Sequence, residues 1–471
     1  CYYTNWSQYR PGTGKFIPSN IDVSLCDDLI YAFAFLSESR PCTLTPIEWN
    51  DDGSNGYEQF TSLKMLKPGL RTLLAVGGWT MGTTSMTLML STQETRAEFV
   101  SSSIEYLRSR NFDGLDLDFE YPGSRGSPPE DKQRFASLVQ ELKAAYDEEG
   151  RQTGQTPLMV TAALGAPKSV IDNGYQVEQI CQDLDYISLM SYDFEGAWNP
   201  YTGHNAPLKV RSDQVGNDVY LNVEWVVNYL VEQGCPKDKL IIGIPTYGRA
   251  FSLIDPSQTG FKAPTGGAAP AGPFTREAGF YGYYEICSSQ GFTRVFDSES
   301  KVAYQYSDSV WIGFDDRETV RKKAQWINQE GYMGAMIWSL DLDDFTGSFC
   351  SEGSYPLLTE INLALNGDST TPTTKTTTTT SGPVTTTTTA PPAGKSQRPL
   401  SPRATISFSD TCEGLDSGYV AYPGDCTKFY QCVNGQGTEN MCAPGTFFCP
   451  SMGICNWWDA LTDERKEECS D

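Results

Sequence analysis

The chain has 471 residues, enough for one large domain and something smaller, and 39% of them are apolar, which supports a sizeable core. Its formal net charge of −24 argues against nucleic acid and anionic membranes as partners, because phosphate groups are held by Lys and Arg. The single histidine, His204, removes most forms of Ser-His-Asp and Cys-His catalysis and counts against a His-based zinc site, so proton transfer must rest on carboxylates and tyrosines.

In chain order, Cys1 opens a strand-like run with no signal peptide ahead of it, as expected of a mature secreted protein after signal removal. Eight apolar runs follow one another, at 1–6, 29–36, 71–78, 112–120, 158–164, 186–193, 240–247 and 333–340. Most are nearly continuous in hydrophobicity, the pattern of strands buried on both faces. Helical patterns fall between them at 95–108, 131–146, 223–233 and 319–330. Eight βα repeats in about 360 residues predict an α/β fold, a (β/α)8 TIM barrel with insertions. The gap between the seventh and eighth runs is too long for one helix. Its residues, about 249–311, are rich in Tyr, Phe and Gly and are expected to form a small α+β lobe. The barrel domain is expected to span 1–366. Residues 367–410 hold two threonine runs, 376–380 and 385–389, with Pro372, Pro383, Pro391 and Pro392. With almost nothing apolar to bury, this stretch reads either as an O-glycosylated stalk or as a bare flexible linker. Residues 411–471 carry half of the 14 cysteines, and that cysteine usage points to an oxidising, extracellular compartment. No run of about 18 apolar residues exists, so no membrane-spanning helix is expected.

The fourth run carries the chemistry. Within Phe112-Asp113-Gly114-Leu115-Asp116-Leu117-Asp118-Phe119-Glu120, alternation along a strand puts Asp116, Asp118 and Glu120 on one face and Leu115, Leu117 and Phe119 on the other. Clustered carboxylates raise one another's pKa and share protons, which suits acid chemistry on a neutral substrate. A solvated acidic edge strand or a metal site is the plain alternative, but the flanking residues are too apolar for an edge. Barrel active sites lie at the C-terminal ends of the strands. There the chain places Trp6, Gly77-Gly78-Trp79, Glu120-Tyr121, Met190-Ser191-Tyr192-Asp193, Tyr247-Gly248-Arg249 and Trp338. Each Trp alone could be core, but indoles and acids converging on one rim suit a saccharide cleft, where rings stack and hydroxyls find polar partners.

The run Asp113 to Glu120 resembles the DxxDxDxE signature of glycoside hydrolase family 18. Gly77-Gly78-Trp79, Met190-Ser191-Tyr192-Asp193, Tyr247-Gly248-Arg249 and Met336-Ile337-Trp338-Ser339-Leu340-Asp341 are similar to further landmarks of that family, in order, over residues 1 to about 365. The resemblance is to animal chitinases and implies a substrate-assisted mechanism, a known exception among retaining glycosidases. It implies Glu120 as general acid and then base. The substrate's N-acetyl oxygen would be the nucleophile, with Asp118 orienting the acetamide N–H. Asp116 would share a proton with Asp118, Tyr192 would donate to the acetamide oxygen, and Asp193 would fix the distorted sugar above a Trp338 floor. Tyr2, Trp6, Trp79, Met190, Trp198, Tyr247, Arg249 and Glu277 match groove positions, with core packing the plainer reading for most of them. Three positions depart from the family pattern: Phe119 where Trp is frequent, Thr80 where Asn is, and Glu195 where His is. Phe119 should be harmless outward packing, Thr80 puts local substrate contacts in doubt, and Glu195 could move the pH profile. Asn5-Trp6-Ser7 is a formal glycosylation sequon at a strand end beside the cleft and is read as unmodified.

In the tail, Cys412, Cys426, Cys432, Cys442, Cys455 and Cys469, with Cys449 extra, staple a unit too small to build its own core. With Phe429-Tyr430-Gln431 ahead of Cys432, the spacing resembles a peritrophin-type chitin-binding module. Tyr430, Trp457 and Trp458 would be its sugar platform, although Tyr430 could be core. By the same resemblance Cys1 pairs with Cys26 and Cys287 with Cys350. Cys42, Cys181 and Cys235 are left unassigned, with buried free thiols as one alternative. The implied protein is a secreted, monomeric, endo-acting chitinase binding chitin and chitooligosaccharides, with no metal and no cofactor. The alternatives are a non-catalytic lectin and a cuticle or mucus-matrix protein dominated by the tail.

Overall fold

The computed structural model describes residues 1–37, 40, 42–52 and 56–367. It also describes the backbone of five strands further on: Ser417–Ala421, Lys428–Val433, Gln436–Met441, Thr446–Cys449 and Ile454–Trp457. The chain divides into two compact units, Cys1–Thr374 and Lys375–Asp471.

The first unit is built on eight parallel strands, β1 Tyr2–Thr4, β2 Asp28–Leu36, β3 Arg71–Gly77, β4 Gly114–Asp118, β5 Met159–Gly165, β6 Tyr186–Met190, β7 Leu240–Pro245 and β8 Gly334–Trp338. They pair in sequence order from β1 to β8. This near-closed cylinder with helices around it is a (β/α)8 barrel. Each strand matches one apolar run of the sequence, but most are shorter at their C-terminal ends. Trp6 falls in a 3-10 turn, Asn5–Tyr9, and Glu120, Tyr192 and Asp193 lie just past their strands. The chain leaves the ladder there because those side chains serve the mouth rather than the wall.

Two apolar layers follow from the two-residue repeat. Leu115, Leu117 and Phe119 join the outer layer with Phe135, Leu138 and Val139 of the helix Asp131–Thr153. Tyr2, Ile30, Ala32, Leu73, Ala75, Tyr192 and Met336 fill the inner one. The helix Gln93–Ser109 starts on a Thr92 capping box, and Asp131–Thr153 stops at left-handed Gly154. Phe119 is buried against Phe135, the outward packing expected of it.

Between β7 and β8 the expected lobe is an antiparallel six-stranded sheet. It runs from Tyr247–Leu253, immediately after β7, to Val310–Phe314, with Thr265–Ala268, Phe280–Gly282, Thr293–Asp297 and Val302–Ser307. Tyr247 and Arg249 thus belong to the lobe's first strand. Among the described residues three disulfides are formed, Cys1–Cys26, Cys181–Cys235 and Cys287–Cys350. The first and last agree with expectation. The second assigns Cys181 and Cys235, left open by the sequence, and excludes the free-thiol alternative for them, since the helix Val177–Asp183 and the turn before β7 bring their Cα atoms to 5.4 Å. Cys42 is a buried free thiol.

The second unit contains a three-stranded antiparallel sheet, Ser417–Ala421, Lys428–Val433 and Gln436–Met441, and a two-stranded one, Thr446–Cys449 with Ile454–Trp457. Tyr430, Cys432, Cys449, Cys455 and Trp457 lie on these strands. Trp458, Cys412, Cys426, Cys442 and Cys469 lie outside the described residues, as do most of 367–410.

Candidate active site

The acid cluster is assembled by close backbone approach. Asp116 stands in register between Ala75 of β3 and Thr161 of β5, and Asp118 opposite Gly77. A Cβ on Gly77 would sit 1.9 Å from the Asp118 carbonyl oxygen, so only glycine lets β3 pass there, and Gly78 N–H donates to that same oxygen at 2.9 Å. Gly243 plays the same part on β7, where a Cβ would meet the Leu189 carbonyl at 2.3 Å and the Tyr192 ring at 2.9 Å.

The three carboxyls are buried and differently served. Asp116, with no exposed surface, accepts from Tyr2 Oη at 2.6 Å and from Thr161 Oγ1 at 2.5 Å. Burial raises its pKa and those two hydroxyls oppose the rise. Asp118 Oδ1 accepts from no donor among the described residues, and burial, then Glu120 and Asp116, push Asp118 well above the carboxylate range. Glu120 is 9% exposed and pushed up to about 7 by burial, with a Tyr121 hydrogen bond and then Arg125 opposing the rise and Asp193 adding to it.

Around this cluster, Tyr192 is buried. Among the described residues its hydroxyl meets only the Met336 thioether, at 3.9 Å, which leaves a strong donor almost unused. Asp193, held at φ 57°, accepts on Oδ1 from Tyr247 Oη and Arg249 Nε, both at 2.7 Å, and its N–H is fixed by Asn205 at 2.8 Å. The Arg249 guanidinium lies 5.2 Å over Trp198, which is exposed. Trp338 stacks on Phe33 at 5.8 Å and lies 6.2 Å from the Trp6 ring, so both indoles share one wall. Trp79 is exposed, with the Arg125 guanidinium 3.4 Å over its ring. Arg125 also donates to the Glu120 carbonyl at 2.8 Å.

Tyr2 and Tyr247 are buried, and their hydroxyls donate to Asp116 and Asp193. Met190 is half-buried, and Glu277 and Thr80 are exposed. Thr161, Arg125, Asn205 and Phe33 were not read from the sequence. Only Thr161, a lone hydroxyl within an apolar strand, carried a signal that could have found it. Asn5 is fully buried and donates to Asp51, so the sequon is closed to a glycan. His204 is likewise buried. Its Nδ1 accepts from Ala206 N–H and its Nε2 faces the Ala303 and Phe314 carbonyls. Burial lowers its pKa to about 4, so the ring is neutral and structural. Glu195 is buried beside the His204 N–H and 3.7 Å from Lys262.

The barrel thus sets two neighbouring indoles beside three buried carboxyls. Residues 1–343 match glycosyl hydrolases family 18, and the chain belongs to that family. Residues 412–469 match the chitin-binding peritrophin-A domain. The chain is 41% identical over 457 residues to chitotriosidase-1 of Mus musculus, covering 97% of this chain and 94% of that protein. The structure of an immunomodulatory active chitinase from Trichuris suis superposes with a TM-score of 0.74 at 41% identity, over 78% of this chain and 98% of that one. Human YKL-39, described as a pseudo-chitinase with retained chitooligosaccharide-binding properties, superposes equally well. Its TM-score is 0.74 at 38% identity, over 79% of this chain and 99% of that one. Among the described residues no helix is long and apolar enough to cross a membrane.

Proposed function

We propose that the chain is a secreted, endo-acting chitinase that hydrolyses β-1,4-linked N-acetylglucosamine polymers with retention of configuration. The observation that carries this reading is the pairing of Glu120, pushed up to about 7, with a buried Asp118 whose Oδ1 accepts from no donor among the described residues. Glu120 delivers its proton to the glycosidic oxygen, and the acetamide oxygen of the sugar attacks the anomeric carbon. Asp118 Oδ1 receives the acetamide N–H and stabilises the positive charge that develops. Asp116, held by two hydroxyls, takes over the proton that Asp118 gives up as it turns to the substrate. Tyr192 donates its nearly unused hydroxyl to the acetamide oxygen. Asp193, oriented by Tyr247 and Arg249, holds the distorted sugar over Trp338, while Trp6, Trp79, Trp198, Met190 and Glu277 line the flanking groove. Glu120, now a base, activates the water that opens the oxazolinium. The scheme uses no metal and no cofactor. Three disulfides support an extracellular setting. The second unit, through Tyr430, Trp457 and Trp458, holds the monomer on chitin.

The test compares the purified chain with Glu120→Gln on a soluble N-acetylglucosamine oligomer. The parent should release mainly disaccharide, initially as the β-anomer, and the variant should lose about a thousandfold in kcat, the scale of a removed general acid. An initial α-anomer would exclude the acetamide mechanism. Tight binding by a parent that never cleaves would instead favour the lectin reading that the likeness to YKL-39 raises.

A further inference from the structure

The barrel has a seam. Among the described residues β1 and β8 share no ladder of backbone hydrogen bonds, although they are neighbours in the ring of strands. The two indoles of the wall lie on opposite sides of that seam, Trp6 on the turn that follows β1 and Trp338 at the end of β8. Trp338 is fixed from the β7 side, where Thr246 N–H donates to its carbonyl at 3.0 Å and Thr246 Oγ1 to the Ser339 carbonyl at 2.6 Å. Among the described residues no backbone hydrogen bond ties Asn5–Tyr9 to β8.

Beside the ring contacts of Trp338 with Tyr2 at 5.3 Å and with Trp6 at 6.2 Å, one ion pair crosses the seam. Arg10, directly after the turn that carries Trp6, is 10% exposed and donates to the Asp341 carboxylate and to the Asp341 carbonyl, the latter at 3.0 Å. Asp341 has no exposed surface, stands three residues beyond Trp338, and accepts on its other oxygen from Ser339 Oγ at 2.5 Å. The chain of contacts therefore runs from the Trp6 turn through Arg10 and Asp341 to the residue bonded to Trp338. A charge-assisted pair away from water keeps its geometry better than a solvated one, and an isolated buried carboxylate is costly.

We propose that the Arg10–Asp341 ion pair is a clamp across the open seam of the barrel, and that Arg10 is a positioning residue that sets the spacing of Trp6 and Trp338. The clamp governs affinity for a saccharide long enough to stack on both indoles and leaves a short one unaffected. This rests on the saccharide cleft proposed above, and the experiment has one arm that does not. In the full chain carrying Glu120→Gln, which holds substrate without cleaving it, Arg10→Met/Asp341→Asn removes both charges and leaves no buried unpaired carboxylate. Arg10→Lys keeps the charge. Calorimetric titration with the N-acetylglucosamine hexamer should show about tenfold weaker binding in the double variant, near-parental binding in Arg10→Lys, and disaccharide binding unchanged in both. Trp6→Ala should cost affinity for the hexamer in the parent and little in the double variant. Separately, 19F spectra of protein labelled with 5-fluorotryptophan, assigned with Trp6→Phe and Trp338→Phe, need no ligand. The clamp predicts that the Trp6 and Trp338 resonances shift in the double variant while the other indole signals stay. A Trp6 resonance that does not move, or equal losses for hexamer and disaccharide, would overturn it. Shifted resonances in a protein that binds no hexamer would retain the clamp and refute the cleft.

Discussion

Glu120 and Arg125 make opposing demands on one proton. Burial raises the Glu120 carboxyl to about 7, and the Arg125 guanidinium opposes the rise while bridging the Glu120 carbonyl and the face of Trp79. A general acid must enter the reaction protonated, so kcat/KM should fall as pH climbs through about 7. Arg125→Leu removes a positive charge that favours the ionised form. The alkaline limb should move to higher pH, read from kcat/KM against pH on a soluble oligomer; a limb that stays put or moves down would show that Arg125 does not act on the acid. The acids themselves were legible because their period of two is local to one strand. Arg125, Thr161 and Asn205 were not, since they meet the acids and Asp193 only across neighbouring strands and loops.

Among the elements, the Cys181–Cys235 bridge joins the helix Val177–Asp183 to the turn that precedes β7, closing 54 residues of chain. Nothing in either local sequence announces the partner, and the spacing fits several arrangements equally. The chain-entropy account gives a bridge of this span about 4 kcal/mol, a figure that strain and residual structure usually reduce. Replacing both cysteines by alanine should lower stability by about 2–4 kcal/mol in denaturant unfolding with little change in KM, because the bridge lies outside the acid cluster. A loss under about 0.5 kcal/mol would show that helix packing already holds these two segments together. Strand ends are the other lesson at this scale. The apolar runs reach Glu120 and Asp193, but the ladder stops at Asp118 and Met190, because the residues beyond turn their backbones out to build the mouth.

For the molecule as a whole, the chain divides into two compact units, and the proposed function assigns cleavage to the first and attachment to the second. A tethered binding unit raises the effective concentration of the catalytic unit at an insoluble surface and adds nothing for a dissolved substrate. Truncation after Thr374 should therefore leave turnover of a soluble hexamer within about twofold and cut activity on particulate chitin by about tenfold. Equal activity of both forms on particulate chitin would remove the anchoring role from the second unit.

Read without coordinates, the chain already determines its class of fold, the order of its eight strands, the lobe before the last of them and the acid-bearing strand. Each of these is written in a period of two, in an apolar run or in the length of the gap between two runs, and such signals survive in one dimension. The tertiary structure alone decided that Cys181 meets Cys235, that the Tyr2 and Tyr247 hydroxyls brace Asp116 and Asp193, that Arg125 touches Glu120, and that Arg10 spans the gap between first and last strands. Those contacts join residues up to 331 positions apart. Their partners are chosen by how a near-closed ring of strands brings distant side chains into reach, and no local pattern records that choice.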